Sequence, residues 1–170
     1  MSHRATRLKV TGEVAHRHEA DDRLHGIGTA VIVRRSVARA LVMACPDGCG
    51  ETLTINLDGR AGAAWRMYTD RRGTSLFPSV WRDNGCRSHF IVWQSRIYWC
   101  DSRDDILDSD DKYIEKQVHS LLGSALVSYV EIADAMGEVP WAVLVACNHL
   151  VAKEEASAGV GPDSEKFKRV

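Results

Sequence analysis

The sequence lacks any apolar run near the roughly 20 residues that a bilayer-spanning helix requires. Its opening, MSHRATRLKV, is charged and has no apolar segment of the secretory kind. The expectation is a cytoplasmic chain with no membrane span. Cysteine is scarce and odd in number, five in all, which argues against a disulfide framework. Net charge is nearly absent, −1 at pH 7 from 22 Lys+Arg and 23 Asp+Glu. Apolar residues are not in short supply: 45% of the 170 positions are hydrophobic, which excludes disorder of the whole chain and suits one compact domain or two small ones.

The balanced charge conceals an asymmetry. Residues 1–100 carry 15 Lys+Arg against 9 Asp+Glu, and residues 101–170 carry 7 against 14. A basic half followed by an acidic half points to two units with different partners; the alternative is that each half simply presents a solvated charged face.

The hydrophobic pattern changes at the same place. Residues 1–28 are polar, rich in His and Arg and without a clean period, and read as a loosely held arm. Short β-type runs follow: Thr29–Arg35, Ala38–Cys45, Glu51–Leu57, Ala64–Thr69, Ser75–Arg82, Arg87–Trp93 and Arg96–Cys100, separated by Gly, Pro, Asp or Asn. ETLTINL alternates polar and apolar residues as a half-buried strand does. Residues 29–102 therefore read as a small all-β domain. Between Asp101 and Asp111 there are six Asp in eleven residues, and residues 103–111 read as an extended, self-repelling linker.

Beyond the linker the period is helical. Ile114, Val118, Leu121 and Leu122 share one helix face. Ser128 and Glu131 form a capping-box pair for a second helix ending at Gly137, and Pro140 sits in the first turn of a third. Two helices joined by a tight Gly turn give a helix-turn-helix pattern. A hairpin around GVGPD would make residues 112–170 a winged-helix-like three-helix domain; without it the unit is a plain three-helix bundle. The fold class expected is thus α+β.

The cysteines carry the first chemical signal. Cys45 and Cys49 flank the turn Pro-Asp-Gly, while Cys86 and Cys100 bracket a hairpin with Gln94-Ser95 near its tip. Pairing 92 with 97 in that hairpin puts His89 opposite Cys100. Two sulfur pairs on two turn-like supports suit a closed, tetrahedral structural Zn²⁺. The favoured set is Cys45, Cys49, Cys86 and Cys100. His89, at a Cys-x2-His spacing from Cys86, is the alternative fourth ligand. Cys147 stands apart in the third helix and reads as core.

A serine nucleophile needs a base within hydrogen-bond reach. Ser79 and Ser88 are the serines near the cysteine site, and His89 is the one histidine of residues 29–102. Neighbours on a strand point to opposite faces, so Ser79 is better placed than Ser88 to meet His89. Asp83 and Asp101 are the candidate acids.

The strings LVMACPDGCGETLTINLD, AWRMYTD and SLFPSVWRDNGCRSHFIVWQSRIYWC together resemble a bacterial domain family, once catalogued only as a domain of unknown function, from operons that encode ubiquitin-like modifiers with E1- and E2-like enzymes. The resemblance spans about residues 29–102. It implies a zinc-containing serine peptidase that processes or removes the modifier, with Cys45, Cys49 and Cys86 as zinc ligands and Ser79, Ser88 and His89 as the reactive set. Members of that family often have a cysteine where Asp47 stands here. The helical half lies outside the resemblance.

Three functions compete: a serine hydrolase with structural zinc acting on a ubiquitin-like protein, a zinc-ribbon plus winged-helix adaptor, and a metallohydrolase with water on an open zinc position. Glu138 to Lys153 contains one Glu, one Lys and one His and no Arg. DNA readers need basic residues there, so protein is the better partner for this helix.

Overall fold

A computed structural model describes residues 3–170, which fall into two compact units divided between Asp105 and Ile106. The first unit is built from two four-stranded sheets. One has the order β1-β2-β3-β4, from Lys9–Val14, Thr29–Arg35, Val37–Ala44 and Thr52–Asn56. The other runs β5-β6-β7-β8, from Arg66–Asp70, Gly73–Trp81, His89–Trp93 and Arg96–Trp99. Every pairing is antiparallel except β1 with β2.

One hydrophobic core joins the sheets. Ala30, Ile32, Leu41, Met43, Leu53 and Ile55 from the first sheet and Leu76, Val80, Phe90, Val92, Ile97 and Trp99 from the second form a single buried cluster. Fully burying a side chain of the Leu or Phe kind is worth about 1.5–3 kcal/mol. The alternation of these positions along each strand therefore fixes which face each remaining residue must occupy.

The N-terminal residues are not a loose arm. Lys9–Val14 pairs with β2 from Lys9↔Thr29 to Val14↔Val33. Val14 and Ala20 then join Val31, Val33 and Val42 in a second buried cluster, with Leu24 and Ala40 packed against it. The physical reason lies in β2, Thr-Ala-Val-Ile-Val-Arg-Arg, which is apolar on both faces. Ala30 and Ile32 serve the inter-sheet core, so Val31 and Val33 need a second cover, and residues 14–24 supply it. Nearer the N-terminus, Leu8 N donates to Ser95 O (2.8 Å) and Ile97 N to Thr6 O (2.9 Å), covering the edge of β8.

The β7–β8 hairpin has the expected register, Val92↔Ile97 and Phe90↔Trp99. Gln94 and Ser95 both have positive φ, 51° and 61°, the geometry of a two-residue turn whose twist matches the strands. Gly73 packs so closely on this turn that a Cβ there would lie 2.5 Å from Ser95 Oγ.

The stretch expected to be an extended, self-repelling linker is instead tied down by its carboxylates. Asp105 accepts from Trp99 N (2.9 Å) and Arg96 (3.2 Å). Asp108 meets His149 at 2.9 Å, Asp110 pairs with Lys112 at 2.8 Å, and Asp111 caps the first helix by accepting from Ile114 N at 3.1 Å. Repulsion that would hold the stretch extended in isolation is offset where Asp105, Asp108, Asp110 and Asp111 each meet a donor.

The second unit comprises α1 (Lys112–Leu121), β9 (Val127–Ser128), α2 (Tyr129–Met136), α3 (Pro140–Ala152), β10 (Ala156–Ala158) and β11 (Lys166–Arg169). Its small sheet has the order β10-β11-β9, all antiparallel. Ser128 and Glu131 form the capping box of α2, and Gly137 closes it in the left-handed conformation, φ 66°. Pro140 opens α3, in which Trp141, Val143, Val145, Ala146, Cys147 and Leu150 are all buried. No helix among the described residues is long and apolar enough to cross a membrane.

Candidate active site

The second sheet carries the candidate catalytic pair on its outer face. Val80 and Phe90 point into the core and are opposite one another in the ladder, and the next pair is Trp81↔His89. Trp81 and His89 therefore face outward, and so does Ser79, two residues before Trp81. Between Leu76↔Val92 and Val80↔Phe90 the register shifts: β6 advances four residues while β7 advances two. The bulge holds Phe77, Pro78 and Ser79, a device that re-aims a side chain within a strand. Its outcome is a distance of 3.0 Å between Ser79 Oγ and His89 Nε2. Trp65 Nε1 donates to the Ser79 carbonyl at 3.2 Å and steadies the bulge from the neighbouring loop.

Around this pair lie two groups, Trp81 and Arg4, that motif spacing does not single out. The Trp81 indole packs on the His89 ring with centroids 5.9 Å apart, yet it is 70% exposed. Alternation along β6 is the signal that could have found it, since it shares the face of Ser79. On the other side of His89, Cys100 N donates to His89 O at 3.0 Å, and Asp101 follows. Both oxygens of Asp101 accept from Arg4, at 2.8 and 2.9 Å. Arg4 also donates to Asp47 at 3.0 Å and lies 4.3 Å over the Trp99 ring. This guanidinium, and in smaller part the nearby His89, holds the Asp101 carboxyl below the usual range. Asp83, the other candidate acid, is exposed in the β6–β7 loop.

Ser88 is elsewhere. It is buried on the opposite face from His89, with its hydroxyl 3.4 Å from Cys86 Sγ and 3.9 Å from Cys45 Sγ. Cys45 ends the β3 side of the turn closed by Gly48 N to Cys45 O (3.1 Å). Cys49 follows in the same loop, and Cys86 comes from the loop between β6 and β7. The sulfurs of Cys45, Cys49 and Cys86 lie within 4.8 Å of one another. Cys100 is not among them: it is exposed and its place in the β8 register puts it beside His89. His89 is likewise outside the group, because its ring faces the other side of the sheet.

The three thiols are electrically unequal. Burial pushes Cys45 up to about 11. Burial also opposes ionisation of Cys86, but the Ser88 hydroxyl and backbone N–H stabilise its thiolate and bring it down to about 7. Arg82 Nη1 sits 3.1 Å from Cys86 Sγ, 3.6 Å from Cys49 Sγ and 3.9 Å from Cys45 Sγ, while Nη2 is held by Glu51. A guanidinium within reach of all three sulfurs marks the place as favourable to positive charge. Soft, converging, partly buried donors of this kind fit a thiophilic metal ion.

A two-sheet domain with a serine–histidine pair on one face and a three-thiol cluster behind it is the class of molecule that fold and site define. The family follows from comparison: residues 16–100 match the model of the family described as bacterial ubiquitination-like system serine protease (BubE), and the chain belongs to that family. No curated protein and no solved structure matches the chain. Residues 101–170 lie outside the matched segment.

Proposed function

We propose that the chain is a serine hydrolase that cuts the bond following the C-terminus of a ubiquitin-like modifier, with Ser79 as nucleophile, His89 as general base and a structural zinc ion on Cys45, Cys49 and Cys86. The 3.0 Å approach of Ser79 Oγ to His89 Nε2 carries the reading, because nucleophile and base must be hydrogen-bonded before either can act. Ser79 Oγ attacks the scissile carbonyl as its proton passes to Nε2. The C–N bond then breaks, and the leaving amine takes that proton. Water, deprotonated by Nε2, hydrolyses the acyl ester and restores Ser79. For this Nε2 must accept, so the ring proton resides on Nδ1.

Zinc bound by the thiolates would contribute folding free energy to the loops that carry them. An open-zinc hydrolase is the weaker reading: the thiols lie behind β7, on the face opposite His89, so water activated there would lack that base. The substrate assignment, and a partnership with E1- and E2-like enzymes, rest on the family's description as part of a ubiquitination-like system.

The second unit is best read as a winged helix used for protein contact. The order α1, β9, α2, α3, β10, β11 and the pairing of β9 with β11 support it. The apolar, buried α3 offers no basic face to a phosphate backbone.

The test is labelling with a fluorophosphonate probe, with the modified residue located by mass spectrometry, alongside cleavage of a modifier fusion. We expect labelling at Ser79 and about one zinc per chain. Labelling absent from Ser79 together with full cleavage by Ser79→Ala would overturn the assignment.

A further inference from the structure

We propose that Trp81 is a substrate-contacting specificity residue that binds the polypeptide on the leaving-group side of the scissile bond. The inference rests on Ser79 and His89 acting as nucleophile and base. An indole 70% exposed on a domain with an ample core is an expensive use of tryptophan, and this one stands beside the base: its ring centroid is 5.9 Å from that of His89.

The side of the substrate it meets follows from proton transfer. The leaving amine collects its proton from His89 Nε2, so the chain beyond the broken bond passes over the imidazole. Ser79 and Trp81 are two residues apart on one strand face, about 6.6 Å at 3.3 Å per residue, with the imidazole in contact with both. A chain leaving the carbonyl at Ser79 and crossing His89 reaches the indole within about two residues, since an extended residue covers about 3.3–3.6 Å. An exposed, rigid indole is well suited to such contact, since it offers a large apolar surface to an extended backbone at little entropic cost.

The experiment compares two substrates that share one acyl part, the ubiquitin-like modifier: its C-terminal methyl ester, and its fusion to a short peptide extension. Trp81→Ala should lower kcat/KM on the fusion by about tenfold or more, mainly through KM, as truncation of a buried interface tryptophan does. The methyl ester and the rate of fluorophosphonate labelling at Ser79 should change less than about twofold, and Trp81→Phe should recover most of the loss. Equal losses on both substrates, or slowed labelling, would show that Trp81 acts by positioning His89 and overturn the proposal. So would unchanged cleavage of the fusion. Failure of the wild-type chain to label at Ser79 is a separate result that removes the serine reading itself. Because the Trp81 side chain is exposed, both variants should fold as the unsubstituted chain does, and an unchanged melting temperature checks this.

Discussion

Ser88 and His89 are covalent neighbours, yet as the chain enters β7 the serine hydroxyl turns to the thiols and the imidazole to Ser79. Two substitutions of the same type should therefore have opposite signatures. Ser79→Ala, like His89→Ala, should cost about three orders of magnitude or more in hydrolysis, because the members of such a unit fail together, with little change in melting temperature. Ser88→Ala should keep activity while losing about 1 kcal/mol of stability from a buried polar contact. Parallel assays of cleavage and thermal unfolding separate the two; an inactive but fully stable Ser88→Ala would reverse the assignment. The thiols allow a pH test at the same scale. In metal-stripped protein, alkylation by iodoacetamide proceeds through the thiolate, so Cys86, brought to about 7, should react increasingly as pH rises through 7. Cys45, at about 11, should stay slow until far higher pH. Ser88→Ala removes a donor to the Cys86 thiolate and should move its midpoint upward; an unmoved midpoint would deny Ser88 that role.

Among the elements, local chemistry is legible in the sequence and long-range cover is not. The β7–β8 register, the Ser128–Glu131 cap, the Gly137 stop and the Pro140 start each follow from residues a few positions apart, which fix backbone geometry without help from the rest of the chain. Strand alternation likewise puts Ser79 rather than Ser88 on the face of His89. What stays hidden depends on distant partners. Lys9–Val14 has too few apolar residues to announce a strand; it exists because Val31, Val33 and Val42 need cover on the outer face of their sheet. The double-sided apolar run in β2 is the available clue. Hairpin pairing brings Cys100 near His89, which suggests a place in the metal set, but nearness to His89 puts it on the wrong face. Arg82 is beyond reach of spacing arguments, since only the path of the β6–β7 loop brings its guanidinium to three sulfurs. The dependence of the first sheet on its N-terminal cover makes a definite prediction: a chain lacking residues 1–24 loses β1 and the contacts of Val14 and Ala20. It should be largely insoluble or bind a hydrophobic dye.

In the whole molecule, the charge asymmetry and the division into compact units nearly coincide, one near residue 100 and the other between Asp105 and Ile106. Each unit has its own apolar core and its own cysteine environment, so each can report on itself. Cys147 is fully buried in α3, and burial pushes its thiol from the ordinary 9.0 up to about 12. A group whose folded value is raised in this way favours folding while protonated. Its contribution is complete below about 9 and is withdrawn as pH climbs toward 12. The second unit should accordingly lose stability across that alkaline window, and Cys147→Ala should flatten the slope. The same thiol gives a test of independence. Cys45→Ser removes a sulfur from the three-thiol cluster and should destabilise the first unit, exposing Cys86 to alkylation. If the second unit holds its structure by its own contacts, Cys147 should remain as protected in Cys45→Ser as in the unsubstituted chain, read by pulsed alkylation and mass spectrometry of the peptide containing it. Simultaneous loss of protection at Cys86 and Cys147 would mean instead that the two units unfold as one, and that the helical half owes its stability to the β-sheet half it follows.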